Sequence, residues 1–512
     1  MIEYWDIDKF INKKADLYNY INPFFDLNYM KSHNFFYINI SLFRYKNYFD
    51  NLYNSIDANI RLDINQRIAI LTNSKNELII AGAGSGKTTT IAAKIKFMTD
   101  ILKIDPNSIL LLSYTNEAVL EMKKIVVEKF KINIQILTFH KFAILLIGKV
   151  KNIKDTIDYE EISNNFTIKE KYLLLMYFLI FYNLNLSDIK KKNLKFILIF
   201  SKFHKDCMQY YYEGKHIKKN LKTLLFKKLC SIYFKKLKKE IFTFDSIIYN
   251  AYQLKNYKYH YKYILIDEYQ DISNLRFKFI KKYADLENSK LMCVGDDWQT
   301  IYSFASSDID NILNFEKIFT DTKVLKIVNT YRNSQELINI AGEFIMKNHI
   351  QIKKKLKSKK HLENPIKILK YKNNNEKIKL IAETIEKLID KKIAILLRYK
   401  NELFSIIDNK NFKLCDNKLI FKDKKEIYFF TIHTSKGLGF DYVFLINLDK
   451  GYFGFPSKRK ENSLFCNENT IFEERRLYYV ALTRTKNIVY LVSPAKHYSI
   501  FLKETKKMLK KK

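Results

Sequence analysis

The 512-residue chain is 47 % hydrophobic, enough for several sizeable cores, and its formal charge of +36 favours an anionic polymer as partner. Its five cysteines (Cys207, Cys230, Cys293, Cys415, Cys466) lack the spacing of a disulfide framework or a zinc site. The longest apolar run, YLLLMYFLIFY (172–182), is too short to span a bilayer, so a disulfide-stapled secreted domain and an integral membrane protein are both excluded.

A soluble, cytoplasmic protein without membrane contact is expected. Part of the charge follows from a bias toward Lys, Asn, Ile, Tyr and Phe, the residues an AT-rich genome overproduces. The cations are 80 Lys and only 10 Arg. Where Arg stands, a planar bidentate guanidinium is called for rather than charge alone.

Residues 1–60, rich in aromatics and Asn, open on MIEYWDID, which is not a signal peptide. They read as an accessory module or as a segment packed on the main body. From 61 to 325 strands alternate with helices, with strands expected at 78–81, 109–113, 135–138, 263–266 and 291–294. That is the pattern of a parallel-sheet α/β domain. Between 145 and 240 it gives way to helical spacing and Lys clusters such as KKNLKTLLFKKLCSIYFKKLKKE, a helical insertion with a basic face. For any single run of this kind, solvated Lys surface is the plainer reading. Strands expected at 324–327, 393–397, 427–431, 442–446 and 488–491 mark a second alternating region, and residues 326–495 are assigned to a second α/β domain. Residues 496–512 are assigned to a basic C-terminal tail, whose end, KETKKMLKKK, reads as disordered.

The stretch ELIIAGAGSGKTTTIAAKIKFM (77–98) runs an apolar strand into a Gly-rich turn and then into a helix opening near Lys87. Gly82, Gly84 and Gly86, with Ala83 and Ser85 between them, let backbone N–H groups converge on an anion. The helix N-terminus adds partial positive charge at the same point. Lys87 can then reach the outer phosphates of a nucleoside triphosphate, and the Thr88 hydroxyl can ligate Mg2+. Ala81 stands where the general pattern has glycine, a departure of one residue. Downstream, YILIDEYQD (263–271) is an apolar strand ending in carboxylates. Asp267 suits the magnesium ion, and Glu268 suits the base that activates the attacking water. A surface acidic turn is the competing reading.

With these two motifs in place, the chain resembles the superfamily 1 DNA helicases of the UvrD/Rep type over about residues 61–495. The remaining motifs that carry the resemblance stand in family order. They are LDINQRIAI (62–70), LSYTNEAVLEMKKI (112–125), TFHKF (138–142), TFDSII (243–248), VGDDWQTIYSF (294–304), VNTYRNSQELINIA (328–341), TIHTSKGLGFDYVFLINLD (431–449) and EERRLYYVALTRTKN (473–487). Trp298 in GDDWQ and the GFPSK after the fifth motif look most like the DNA helicase IV branch.

The resemblance implies two RecA-like parallel-sheet domains with nucleotide in the cleft between them and a helical insertion in the first. Little or no insertion is expected in the second, because residues 332–432 leave room for the core sheet and a short piece around 399–425. It makes Gln66 the reader of adenine, Tyr331 the ring stacked on it, and Gln299 a γ-phosphate sensor. Arg332 and Arg484 become the arginine fingers. Arg475 and Arg476 are read equally well as structural ion pairs with Glu473 or Glu474. Tyr114, Thr115, Asn116, His140, Phe304 and His433 fall on the single-strand track, with Tyr114 and Phe304 stacking bases. Neither His140 nor His433 has a Cys or carboxylate partner in its motif, so zinc is not expected.

Two positions depart from the family. Gly439 replaces a ribose-contacting glutamate, and Thr89 replaces an arginine that packs on the base; both imply looser discrimination between ATP and GTP. The implied activity is ATP- and Mg2+-dependent 3′ to 5′ translocation on single-stranded DNA and at single-strand/duplex junctions, in repair or recombination. The alternative is a motor or regulatory subunit, with protein partners, in a larger DNA-processing or defence complex.

Overall fold

Every residue of β1 (Asn76–Ala81) and β2 (Ile109–Ser113) is buried, as central strands covered on both faces require. The computed structural model describes residues 34–148, 166–181, 203–211, 221–236, 244–457 and 470–510, apart from isolated positions and short breaks such as 304–306. β1 and β2 join β3 (Gln135–Thr138), β4 (Tyr263–Ile266), β5 (Lys290–Gly295) and β6 (Thr322–Ile327) in one six-stranded sheet of order β3-β2-β4-β5-β1-β6. All its pairings are parallel, so every strand delivers its C-terminal end to the same edge. Ligands of open α/β sheets bind at that edge.

The strand expected at 324–327 as the opening of the second region is β6, and it belongs to the first sheet, with Asn76 opposite Thr322 and Ala81 opposite Ile327. Sheet membership follows this pairing with β1 rather than position along the chain. The helices Asn34–Arg44 and Lys46–Asn51 send Leu42 and Phe49, and the turn after them Tyr53, into the core beneath the helix Lys87–Asp100. Phe49 stacks on Phe97 with ring centroids 5.6 Å apart. Residues 34–53 are thus packed on the first domain.

The second sheet holds β7 (Ile366–Tyr371), β8 (Ile393–Leu397), β9 (Phe412–Cys415), β10 (Lys418–Phe421), β11 (Lys425–Thr431), β12 (Phe440–Leu445) and β13 (Thr485–Pro494), in the order β7-β13-β12-β8-β11-β10-β9. Its first five strands in that order are parallel; β10 and β9 add an antiparallel hairpin. Between Tyr331 and His433 that hairpin and a short 3-10 segment are the additions, and no helical subdomain occurs there among the described residues. In the first insertion, the helices Ile168–Phe181 and Leu221–Lys236 share a small core of their own around Tyr177, Phe203, Phe226 and Tyr233.

The C-terminal reading needs correction. Residues Ile500–Lys510 form a helix whose Phe501, Leu502, Thr505 and Met508 are buried, three of them in the core of the second domain. Their spacing makes one apolar stripe, and the lysines occupy the other face. Arg475 anchors this helix through Glu504 at 2.7 Å, so its partner is neither Glu473 nor Glu474. Arg476 is fully buried and donates to the backbone oxygen of Thr300 and to Gln351. Glu474 pairs instead with Arg398, at 2.6 Å.

Candidate active site

The Gly-rich turn follows β1 without a break. Gly84 and Gly86 have φ of +71° and +79°, which only glycine adopts without strain, and Gly86 opens the helix Lys87–Asp100. A Cβ on Gly84 would stand 2.5 Å from the Arg332 side chain, so the absence of one lets the two domains approach. Asp63 and Gln66 form a capping box on the helix Ile64–Leu71. Gln66 also donates to the backbone oxygen of Ser85 at 3.2 Å. At 2 % exposure and with both ends of its amide engaged, Gln66 buttresses the turn in this conformation.

Lys87 projects into a cleft of about 530 Å³ between the two sheets, lined by Gly82, Gly84, Ser85, Gly86, Lys87, Thr88, Thr89, Asp267, Glu268, Gln299, Tyr331, Arg332 and Arg484. Ala83 lies behind the lining, its backbone oxygen accepting the Thr330 hydroxyl at 2.7 Å. Asp267 and Glu268 follow β4 directly, and Glu268 sits in the left-handed region at φ +49°. Such a conformation in a non-glycine residue has to be held by its surroundings. Here Lys87 Nζ lies 3.5 Å from its Oε1, and Gln270 donates to its Oε2.

Burial alone would raise the pKa of Glu268, but Lys87 and Lys436 outweigh it and hold the group ionised. Asp267 goes the other way, raised by burial and by the charge of Glu268. The buried carboxyl of Asp267 and the part-buried one of Glu268 thus lie with Lys87 close by and the Thr88 hydroxyl on the same cleft wall. That is an oxygen-rich, net negative donor set which fits a small hard cation such as Mg2+.

The second domain supplies the opposite wall. Arg484 is fully buried and donates to Gln299 Oε1 at 3.0 Å. Burial and the neighbouring charge of Arg332 both disfavour its ionised form. Arg332 donates to the backbone oxygen of Gly437 at 3.2 Å, while its Nη1 is buried without a hydrogen-bond partner. Two guanidiniums and Lys87 lining one cleft suit a polyanion. Tyr331, 57 % exposed, stands at the rim with its hydroxyl on Asp63 at 2.8 Å. The Tyr331 backbone N–H donates to the Gly84 oxygen at 2.9 Å, tying the rim to the phosphate loop.

Residues 62–320 match the family model described as the UvrD/REP helicase N-terminal domain, and residues 400–495 match the UvrD-like helicase C-terminal domain. The chain belongs to the UvrD/Rep helicase family. It is similar to the ATP-dependent DNA helicase Rep of Buchnera aphidicola subsp. Acyrthosiphon pisum, 32 % identical over 369 residues, 66 % of this chain and 54 % of that protein. The probable DNA helicase II homolog of Mycoplasma capricolum is 29 % identical over 320 residues, 58 % of this chain and 42 % of that protein. DNA helicase IV of Escherichia coli is 30 % identical over 269 residues, 48 % and 36 % respectively. The chain spans about half the length, or less, of these relatives.

The UvrD/Rep motifs flanking the cleft are placed by the same sheet edges. Tyr114 follows β2 and lies near-parallel to Tyr302, 15° apart with centroids at 6.0 Å, and the Arg276 guanidinium sits 5.0 Å over its ring. Thr115 caps the helix Asn116–Lys123, on whose exposed first residue, Asn116, the motif continues. His140, in the helix Phe139–Ile147, packs on Phe244 at 4.6 Å and is lowered to about 3 by burial and by Arg276. His433 is likewise lowered to about 3 by burial, Arg398 and Lys436, and its backbone oxygen accepts the Tyr302 hydroxyl at 3.0 Å. Phe304 lies outside the described residues. No group of three or more His, Cys, Asp or Glu side chains placed to hold a metal ion occurs among the described residues, so neither His140 nor His433 belongs to such a group.

Gly439 faces Arg332: a Cβ there would stand 3.3 Å from its Nε, so the guanidinium occupies space beside the missing glutamate. Several contributors escaped the sequence reading. Lys436, from the second domain, grips Asp271 at 2.6 and 2.7 Å and the backbone oxygen of Gln299 at 2.8 Å. Tyr302 and Arg276 bracket Tyr114. Within the SKG run Lys436 was legible only as one lysine among 80, because its partners lie far away in sequence.

Proposed function

We propose that the chain is an ATP-dependent DNA translocase and helicase that moves 3′ to 5′ on single-stranded DNA in the cytoplasm and serves DNA repair or recombination. The observation that carries this is the convergence on one cleft of Lys87 and Glu268 from the first sheet with Arg332, from the segment between β6 and the helix Gln335–Ile345, and Arg484, which directly precedes β13 of the second sheet. In this reading Lys87 and the loop N–H groups hold the outer phosphates. Thr88 and Asp267 would hold Mg2+, which would supply positive charge against the phosphates. Glu268 takes the proton of the attacking water as the new P–O bond forms at the γ-phosphorus and the bond to the β,γ-bridging oxygen breaks. Arg332 and Arg484 stabilise the charge that spreads over the transferring group.

Closure around nucleotide and reopening after hydrolysis would move the second domain against the first. Tyr302, bonded to His433 and stacked near Tyr114, supports a link from that motion to the strand. Duplexes with a 3′ or a 5′ single-stranded tail test the reading. Strand separation on the 3′-tailed substrate alone, dependent on ATP, is expected. ATP consumption with neither duplex opened would favour the motor-subunit alternative.

A further inference from the structure

A buried lysine outside every motif sits behind the γ-phosphate sensor. Lys354 lies in the crossover between the helix Gln335–Ile345 and β7, with no exposed side-chain surface. Its ammonium bonds Asp296 and, at 2.7 Å, Asp297, and it stands 4.6 Å from the Trp298 ring. Asp296 Oδ2 accepts Gln299 Nε2 at 2.6 Å, and Gln299 Oε1 accepts Arg484 Nη2 at 3.0 Å. Asp297 is separately satisfied by Gln351 Nε2 and the Ile352 N–H, both at 2.8 Å.

We propose that Lys354, acting through Asp296, is a positioning residue that fixes the amide orientation of Gln299 and thereby aims Arg484. The chemistry allows one arrangement. An ionised carboxylate only accepts and a guanidinium only donates, so an amide between them must turn its NH2 to Asp296 and its oxygen to Arg484. That holds while Asp296 is charged and stationary. Without the ammonium, two adjacent buried carboxylates would repel, and one would rotate or take up a proton. A protonated or displaced Asp296 no longer dictates which end of Gln299 faces Arg484. The lysine thus lets a segment of the second domain set the geometry of a sensor carried by the first.

The inference rests on the reading of Gln299 and Arg484 as γ-phosphate ligands. The test is a set of variants read by single-strand-stimulated ATP turnover: Asp296→Asn, Lys354→Met, Gln299→Ala, and each of the first two combined with Gln299→Ala. Asp296→Asn is isosteric and leaves the Lys354–Asp297 pair intact, so it isolates orientation from folding. Its carbonyl serves Lys354, its NH2 then faces Gln299, and the Gln299 amide must flip. A kcat loss of about tenfold or more with KM for ATP within about threefold is expected for Asp296→Asn, with no further loss when Gln299→Ala is already present. A kcat for Asp296→Asn within about twofold of wild type, or losses that multiply with Gln299→Ala, would overturn the inference. If Gln299→Ala itself turns over at the wild-type rate, the underlying reading of Gln299 fails as well. If Gln299→Ala is slow while Asp296→Asn and Lys354→Met are not, only the role of Lys354 fails.

Discussion

Replacing Glu268 by Gln separates catalysis from binding more cleanly than any other change in the cleft. The side chain keeps its shape, and the φ of +49° is no harder for Gln than for Glu. What changes is the charge 3.5 Å from Lys87 Nζ and the capacity to accept a proton. Loss of a general base costs about 10²–10⁴-fold, or roughly 3–5 kcal/mol of barrier at ~1.36 kcal/mol per decade. Binding should move the other way. Lys87 loses its carboxylate counter-charge and has more of its field available to phosphate, while Asp267 and Thr88 remain for the cation.

The assay pairs phosphate release at saturating single-stranded DNA with equilibrium binding of a fluorescent ATP analogue. The expected variant binds the analogue at least as tightly as wild type and turns over at least about 100-fold more slowly. Turnover within about tenfold of wild type would remove Glu268 as the base. Loss of nucleotide binding would show instead that the residue supports the loop.

Three further outcomes follow from the same geometry. Phe501→Ala should lower unfolding stability by about 3–5 kcal/mol in urea titration, because the ring is fully buried against Phe344, Phe455 and Tyr478; a change under about 1 kcal/mol would mean that the C-terminal helix is not docked as described. His140 is held neutral with its pKa lowered to about 3, so its contribution to stability is complete above the unfolded value of about 6.5 and is lost as pH falls below it, at up to ~1.4 kcal/mol per pH unit. His140→Asn should therefore flatten the acid limb of the stability–pH curve, and an unchanged limb would contradict the burial argument. If Gly439 and Thr89 stand at the sugar and base positions respectively, as the proposed reading has them, GTP should support single-strand-stimulated turnover, and a GTP rate at background beside a strong ATP rate would refute loose selectivity.

What the sequence disclosed was local. The phosphate loop, the DEYQD strand end and the apolar strands announce themselves within a few residues, because turn geometry, helix start and burial on both faces are short-range constraints. What it concealed was long-range. Lys354 and Lys436 are two lysines among 80, and their importance comes from Asp296 and Asp271 across the domain boundary. β6 looked like the start of a new alternating region because its partner β1 precedes it by the whole first domain. The final helix was missed because KETKKMLKKK begins just after Phe501 and Leu502. Cut there, an amphipathic stripe reads as a charged tail. Arg475 was matched to the nearest acids in sequence, whereas the fold offers it Glu504.

The central claim is that this cleft hydrolyses ATP in response to a nucleic-acid strand. ATP turnover by the purified chain, measured with and without single-stranded DNA and beside Lys87→Ala, tests it most directly. Turnover should rise on addition of the strand and disappear in Lys87→Ala, with strand binding in the absence of nucleotide retained by the variant. Turnover indifferent to the strand, or a Lys87→Ala protein that still hydrolyses ATP within about tenfold of wild type, would contradict it.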